Sequence, residues 1–309
     1  MRTWIVFLII YLCLNESPFL INREEVKKIQ SKATWHVQDP DSNIFNKWTT
    51  KQISVLLGAI PSKPNAQIDM QSNIMMSAMP VKAAPTNFDG RTSYGSCLAP
   101  IKNQGSCGSC WAHAIVDSFS VTRCLKKLSS GFKQLSIQYL VSCDTKDWKC
   151  EGGCYQYGYQ FMTSTGVVTD TCFPYTSGSG TAPACPTKCV NSESISTKYK
   201  CKSGTTVNIA SKLESAKTWI SGTGPMWLSF AVYNDFFNYK SGVYYHVSGD
   251  LAGYHAVQVV GYGVDTTTKL NYWLCQNSWS ASWGEKGFFK IKMGDSSSSK
   301  ELVSCIPAN

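Results

Sequence analysis

A cysteine, a histidine and an asparagine occur along the chain in the order that thiol catalysis of acyl transfer uses. Cys110 stands in the run QGSCGSCW, His255 in GYHAV and Asn277 in QNSW. A thiolate attacks a carbonyl carbon, a nearby imidazole stabilises that thiolate and protonates the leaving amine, and an amide orients the imidazole. Gln104, six residues before Cys110, can donate its side-chain amide to the oxyanion. These four residues predict nucleophilic catalysis at Cys110.

Elimination among the four histidines also selects His255. His36 lies in an N-terminal segment that we expect to be removed. His113 follows Cys110 by three residues on the same predicted helix, where it is poorly placed to deliver a proton, and we expect it to pack in the core. His246 lies in a tyrosine-rich loop without a catalytic motif.

Two kinds of periodicity divide the rest of the chain. Apolar residues at helical spacing predict an amphipathic helix that begins at Cys110, where the helix dipole favours a thiolate. This helix is predicted over 110–128, and two more over 155–163 and 210–220. Strands are predicted over 226–233, 256–264, 271–276 and 287–293, with His255 at the start of one of them. We therefore expect an α+β fold in which a helical half carries Cys110, a strand-rich half carries His255 and Asn277, and a cleft separates them.

The N-terminal part predicts a precursor. Residues 1–16 read as a secretory signal peptide, because Arg2 precedes an apolar run too short to span a membrane; a buried N-terminal helix is the alternative. Residues 17–83 lack cysteine and end in a stretch of prolines and small residues, which predicts a cleavable inhibitory pro-segment. A mobile extension without an inhibitory role is the alternative. Residues 84–309 are cysteine-dense and predict the mature peptidase domain.

Composition limits the partners and the compartment. The 309 residues carry a net charge of +9 with scattered basic residues, which argues against a nucleic-acid binder, and no later stretch reaches the length of a membrane span. We expect the secretory pathway, with a lysosome-like vesicle or the extracellular space as the destination.

The fourteen cysteines fit that pathway. Cys13 leaves with the signal peptide and Cys110 is the nucleophile, so twelve remain for disulfides. Zinc bound by the pairs Cys150/Cys154 and Cys185/Cys189 is the alternative, disfavoured by the shortage of histidines. No metal and no other cofactor is expected.

These motifs resemble the papain family of cysteine peptidases, and most closely its cathepsin B branch. Further matches are FD at 88–89, CEGG at 150–153, GYG at 261–263 and WGE at 283–285; the branch-level match is YKSGVY at 239–244 with His246. The resemblance implies a papain-like two-lobed fold with a helical left lobe and a β-barrel-like right lobe. It also implies that Cys110 is the nucleophile, His255 the acid–base, Asn277 the orienting residue and Gln104 the oxyanion donor.

The resemblance implies substrate contacts as well. Gly152 and Gly153 would pair their backbone with an extended peptide, Trp279 would shield the hydrogen bond of the catalytic histidine, and Trp283 would stand on the leaving-group side. Glu301 falls where the cathepsin B branch carries the acid of its S2 pocket, which implies acceptance of Arg at P2. A solvated C-terminal charge is the alternative for Glu301.

Disulfide pairing also follows from the resemblance. It implies the pairs Cys97–Cys124, Cys107–Cys150, Cys143–Cys185 and Cys172–Cys189, and it leaves Cys154, Cys201, Cys275 and Cys305 open. The stretch between Cys172 and Cys189 is short and lacks histidine, whereas cathepsin B has an occluding loop with paired histidines there. We therefore expect an endopeptidase with an open primed side.

The expected partners are peptide and protein substrates, the pro-segment as an intramolecular inhibitor, and cystatin-type and epoxide inhibitors. The enzyme is expected to be a monomer. A catalytically inactive peptide-binding relative and a ligase-type enzyme built on the same residues are the alternatives.

Overall fold

The computed structural model describes residues 20–61, 72, 74–75, 83–294 and 301–308, so the predicted signal peptide lies outside the described residues. The helices are α1 Arg23–Gln30, α2 Thr50–Ser54, α3 Gly90–Ser93, α4 Cys110–Leu125, α5 Ile137–Cys143, α6 Tyr155–Ser164 and α7 Leu213–Gly222. The strands are β1 His36–Val37, β2 Phe88–Asp89, β3 Val207–Asn208, β4 Met226–Tyr233, β5 Tyr239–Ser241, β6 Val243–Tyr244, β7 Leu251–Val264, β8 Asn271–Gln276, β9 Phe288–Lys292 and β10 Leu302–Ser304.

Helix α4 is the centre of the molecule and is buried on all sides from Cys110 to Cys124, so the expected amphipathic pattern was wrong. It packs against β4 and β7 on one side and against α5 and α6 on the other, which leaves no face for water. Two of its hydroxyl side chains are satisfied within the helix. Ser120 and Thr122 donate their hydroxyls to carbonyls four residues earlier, at 2.7 and 2.8 Å.

The second half of the chain forms one mixed sheet in the order β3-β10-β4-β7-β8-β9-β6, with β2 also paired to β7. Strands β4 and β8 have the predicted bounds, whereas β3 and β10 were not predicted. Strand β7 begins five residues before its predicted start, so His255 lies inside a strand rather than at its beginning. The β7–β8 register pairs Gln258 with Gln276, and Asn277 therefore follows the end of β8 close to His255.

The first described residues, 20–61, form a separate layer on this framework, here called the N-terminal segment. Strand β1 adds antiparallel to β5. Trp35 lies against the rings of Tyr239 and Tyr244, and Phe45 makes an edge contact with Trp279. Because these aromatic side chains are buried, removal of the segment exposes apolar surface on the domain beneath.

Ten cysteines in the described part of the chain form five disulfides. They are Cys97–Cys124, Cys107–Cys150, Cys143–Cys185 and Cys172–Cys189, which are the four pairs implied by the resemblance, and Cys201–Cys305. The expectation that all twelve available cysteines form disulfides was wrong, because Cys154 and Cys275 are in none. Cys275 is fully buried in β8, where its sulfur lies 3.9 Å from the carbonyl oxygen of Trp273.

The zinc alternative does not survive these pairings, since Cys150, Cys185 and Cys189 are all in disulfides. Among the described residues, no group of three His, Cys, Asp or Glu side chains could hold a metal ion. None of the helices in those same residues is both long and apolar enough to cross a bilayer.

Candidate active site

Cys110 is the first residue of α4, at the junction of the helical half and the sheet. The loop before it is fixed by the Cys107–Cys150 disulfide and by a 2.8 Å hydrogen bond from Gly108 N–H to the Cys150 carbonyl. A Cβ at Gly108 would lie 2.5 Å from that carbonyl oxygen, which explains the glycine at this position. The backbone N–H of Ala256, in β7, faces the Cys110 sulfur and acts to lower the pKa of its thiol.

The residue before Ala256 is His255, whose ring is fully buried and held by Asn277. Its Nε2 lies 2.7 Å from Asn277 Oδ1, which also accepts the N–H of Ser278 at 2.8 Å. Asn277 Oδ1 is therefore an acceptor, and Nε2 carries the imidazole proton. Nδ1 makes no hydrogen bond in the described residues and is available to accept a proton. The ring of Trp279 covers His255 with its centroid at 4.5 Å and is 2% exposed.

Gln104 is fully buried beside these residues, and every polar group of its side chain is used. Oε1 accepts the Ser278 hydroxyl at 2.7 Å, so Nε2 faces the other way. Nε2 donates to the carbonyls of Leu56, at 3.0 Å, and Cys107, at 2.8 Å. Ser278 was not predicted, although its place directly after Asn277 could have suggested it. The Leu56 carbonyl also faces the His255 ring, without a well-aligned hydrogen bond.

The N-terminal segment crosses the site as an extended strand. Gly153 N–H donates to the Gly58 carbonyl at 2.9 Å, and Ile60 N–H donates to the Gly153 carbonyl at 2.9 Å. On the other side Ala59 N–H donates to the Tyr254 carbonyl at 3.1 Å. These bonds form two parallel β-bridges, Gly58 with Tyr254 and Ala59 with Gly153. The segment therefore connects the helical half with the sheet. The site therefore binds extended backbone by strand pairing.

Gly58 is the residue at which the segment comes closest to the helix start. A Cβ at Gly58 would lie 1.8 Å from the Gly108 carbonyl oxygen, so no other residue fits without a shift of backbone. Gly152, with φ of 122°, also borders this contact, and its Cβ would lie 2.9 Å from Gly58 O. Gly58 is the single glycine between residues 17 and 83, a sequence signal that was available but not used.

Burial changes the protonation of both Cys110 and His255. Burial raises the pKa of the Cys110 thiol from 9.0 to about 11, although backbone N–H groups act in the opposite direction. Burial lowers the pKa of His255 from 6.5 to about 4, against the opposing effect of Asn277. Between these two values the thiol and the imidazole are both neutral, so the covered site holds no thiolate.

Two further residues predicted to contact the substrate, Trp283 and Glu301, differ in how deeply they are buried. Trp283 is 3% exposed and packs edge-on to Trp279 inside an aromatic cluster. Glu301 is half-buried, and its Oε2 accepts the Ser229 hydroxyl at 2.6 Å. Ser229 pairs with Ala256 across β4 and β7, which places Glu301 one side chain away from the strand that carries His255.

The other histidines lie elsewhere, as predicted for His36, His113 and His246. His36 is in β1 of the N-terminal segment. His113 is buried in α4, and its Nδ1 contacts Ser109. His246 stacks on Tyr233 and lies 3.2 Å from the buried carboxylate of Asp235.

Comparison with known proteins identifies relatives along the whole chain. The family model described as "Papain family cysteine protease" matches residues 84–306. A protein named "Cathepsin B-like CP3" from Giardia intestinalis is 41% identical over 209 residues, which are 67% of this chain and 69% of that protein. "Cathepsin B" from Dictyostelium discoideum is 30% identical over 320 residues, covering 97% of this chain and 98% of that protein.

Solved structures agree on the fold and on the precursor form. The structure titled "proCathepsin B S9 from Trypanosoma congolense" superposes with a TM-score of 0.83 at 25% identity, covering 95% of this chain and 100% of that one. A digestive procathepsin L2 from Tenebrio molitor, at 21% identity and 94% and 89% coverage, has the same fold with a TM-score of 0.73. The papain-like α+β fold and the cysteine peptidase prediction are thereby confirmed. The chain belongs to the papain family of cysteine proteases, as a cathepsin B-like peptidase made as a zymogen.

Proposed function

We propose that this peptidase cleaves internal peptide bonds with Cys110 as the nucleophile, His255 as the acid–base, Asn277 as the residue that orients His255, and Gln104 as the oxyanion donor. The observation that carries the proposal is the direction of the hydrogen bonds at His255. Asn277 Oδ1 accepts the hydrogen bond of Nε2–H, and the backbone N–H of the neighbouring Ala256 faces the Cys110 sulfur. Nδ1 carries no proton, so it is the ring nitrogen that we propose accepts the proton of the Cys110 thiol.

The reaction follows from these positions. When the cleft opens to water, the cost of charging the pair falls, and the Cys110 proton passes to His255 Nδ1. The thiolate, stabilised by the N-terminus of α4, attacks the scissile carbonyl carbon. The carbonyl oxygen becomes an oxyanion that Gln104 Nε2 and the Cys110 backbone N–H can bind. His255 then protonates the leaving amine, and water hydrolyses the thioester with His255 as the base.

The carbonyl of Leu56 supports the assignment of the oxyanion site. It accepts a 3.0 Å hydrogen bond from Gln104 Nε2, which is the donor that the carbonyl of a substrate requires. The N-terminal segment therefore blocks the oxyanion donor and the backbone of Gly153 at the same time. We propose that residues 17–83 are the inhibitory pro-segment, that residues 1–16 are a signal peptide, and that the mature enzyme begins near Ala84.

The endopeptidase assignment rests on the loop over residues 173–188. Tyr175 in this loop donates to the Gln104 carbonyl, and Ser177 bonds with Gln138 on α5, so this part of the loop packs back on the helical half. The loop holds no histidine that could bind a substrate C-terminal carboxylate. For the S2 pocket we propose Glu301, whose contact with Ser229 places it beside the His255 strand and favours Arg at P2.

Secretory-pathway traffic is consistent with five disulfides, which form in oxidising compartments. We propose a lysosome-like vesicle or the extracellular space as the destination. The open cleft is expected to bind cystatin-type inhibitors, and epoxide reagents are expected to alkylate Cys110. We propose that the enzyme acts as a monomer.

The test compares Cys110→Ala and His255→Ala with Cys275→Ala, which removes a free buried thiol that is not among the proposed catalytic residues. Hydrolysis of an internally quenched peptide with blocked ends should fall by at least about a thousandfold in the first two variants and remain in the third. A Cys110→Ala enzyme that retains activity would refute the nucleophile. Preferential removal of C-terminal dipeptides would refute the endopeptidase assignment, and ligated product with an added amine would favour the ligase alternative.

A further inference from the structure

A chain of hydrogen bonds connects the buried histidine of α4 with the residue proposed to bind the oxyanion. His113 Nδ1 lies 3.0 Å from the Ser109 carbonyl oxygen and 3.3 Å from the Ser109 hydroxyl. That hydroxyl lies 2.8 Å from the Tyr175 hydroxyl, which donates to the Gln104 carbonyl at 2.8 Å. The rings of His113 and Tyr175 meet edge-on with centroids 4.8 Å apart. One connected path thus spans α4, the loop before it and the loop over residues 173–188.

The acceptors at both ends set the direction of every bond. A carbonyl oxygen cannot donate, so the single proton of Tyr175 goes to Gln104 and the proton of His113 Nδ1 points at Ser109. The Tyr175 oxygen must then accept from the Ser109 hydroxyl, and His113 Nδ1 shares its one proton between the Ser109 carbonyl, at 3.0 Å, and more weakly the hydroxyl, at 3.3 Å. Burial lowers the pKa of His113 to about 4, against the opposing hydrogen bond to the Ser109 carbonyl, and the charge of the nearby Lys102 acts in the same direction as burial. At weakly acid and neutral pH the ring is therefore neutral with its proton on Nδ1.

We propose that His113, Ser109 and Tyr175 are positioning residues that hold the Gln104 backbone for oxyanion binding. Two hydrogen bonds connect Gln104 with Ser278, which follows β8. The Gln104 N–H donates to the Ser278 carbonyl at 2.9 Å, and the Ser278 hydroxyl donates to Gln104 Oε1. Tyr175 supplies the tie to the helical half. Ser109 directly precedes Cys110, so the same path fixes the distance between the oxyanion donor and the attacking sulfur.

This role explains a polar residue at a buried position. His113 is 3% exposed and Ser109 is fully buried, and a buried polar group is costly unless it is hydrogen-bonded. A phenylalanine at position 113 would keep the edge-on ring contact with Tyr175 but could not donate to Ser109. The inference rests on the proposed function, because it assigns these residues a role in stabilising the oxyanion.

The test uses three variants that each remove one link: His113→Phe, Ser109→Ala and Tyr175→Phe. Tyr94→Phe is the matched control, since Tyr94 is also buried and donates its hydroxyl to a backbone carbonyl, that of Ile220 at 2.7 Å, outside the site. For the processed enzyme we expect kcat to fall about fivefold to tenfold in each link variant, with KM within twofold of wild type. The control should keep both values.

Alkylation of Cys110 by iodoacetamide separates positioning from general damage. This displacement forms no oxyanion, so the second-order rate constant should stay within twofold of wild type in all link variants. Equal losses in alkylation and hydrolysis, or a kcat within twofold of wild type in Tyr175→Phe, would overturn the inference. Should His113→Phe fail to fold, Ser109→Ala, which keeps both rings, decides the question. A wild-type enzyme whose Cys110 is not alkylated would instead refute the proposed function.

Discussion

A single methyl group at Gly58 should release the inhibitory strand from the active site. The added Cβ of Gly58→Ala would lie 1.8 Å from the carbonyl oxygen and 2.4 Å from the carbonyl carbon of Gly108. Both are backbone atoms of a loop that the Cys107–Cys150 disulfide holds in place. The N-terminal segment must therefore move, and the helix start cannot yield to it.

The cost of that movement can be worked out from the contacts that it breaks. Three backbone hydrogen bonds hold residues 58–60, two with Gly153 and one with Tyr254. At a net value of ~1 kcal/mol each, their loss weakens the covered state by ~3 kcal/mol, which is roughly a hundredfold in the population with an open cleft. Alkylation of a covered thiol proceeds through that open population when opening and closing are fast.

The assay is iodoacetamide labelling of the full-length precursor at neutral pH, scored by mass spectrometry on the intact chain. We expect Cys110 in Gly58→Ala to be labelled about a hundred times faster than in the wild type. Gly222→Ala is the matched control, because a Cβ there meets nothing within 4 Å. Labelling of Gly58→Ala at the wild-type rate would show that strand pairing in the cleft does not govern access to the thiol.

Three further outcomes follow from the same structure. Glu301→Gln should lower kcat/KM about tenfold for peptides with Arg at P2 and leave peptides with Leu at P2 within twofold, because only the former lose a charge-assisted hydrogen bond. Equal effects on both peptides would show that Glu301 is a solvated surface charge. Replacing Cys201 and Cys305 together by Ser opens a link between residues 104 positions apart and should reduce the free energy of unfolding in urea by ~2–5 kcal/mol. Phe45→Ala removes a buried ring that contacts Trp279 and should speed labelling of Cys110 in the precursor at least tenfold. Lys51→Ala, on the exposed side of α2, should leave the labelling rate unchanged. Similar labelling rates in the two variants would exclude a role for the contact between Phe45 and Trp279.

The residues proposed to be catalytic could be selected from the sequence because each lies inside a short motif of residue types that the chemistry requires. Strands β4 and β8 were also predicted with correct bounds, since they are runs of apolar and β-branched residues between turns. The burial of α4 could not be predicted in this way. Hydrophobic periodicity detects a helix with one solvent-exposed face, and α4 has no such face from Cys110 to Cys124.

The contacts that hold the site were mostly invisible in the sequence. Ser278 and Tyr175 meet Gln104 from positions 174 and 71 residues away, and neither spacing carries a signal. Gly58, in contrast, carries a signal in the sequence. As the single glycine of residues 17–83 it marks a close backbone approach, but only the structure identifies Gly108 as the partner.

The central claim is that the N-terminal segment keeps Cys110 neutral and that its removal allows the thiolate to form beside His255. The most direct measurement is the pH dependence of Cys110 alkylation in the intact precursor and in the processed enzyme. In the precursor the pKa of the thiol is raised to about 11, so its labelling rate should still be rising above pH 9. In the processed enzyme, labelling should be fast well below the ordinary thiol pKa of about 8.5. An identical profile in both forms, with a midpoint near 8.5, or a Cys110 bound in a disulfide, would contradict the account.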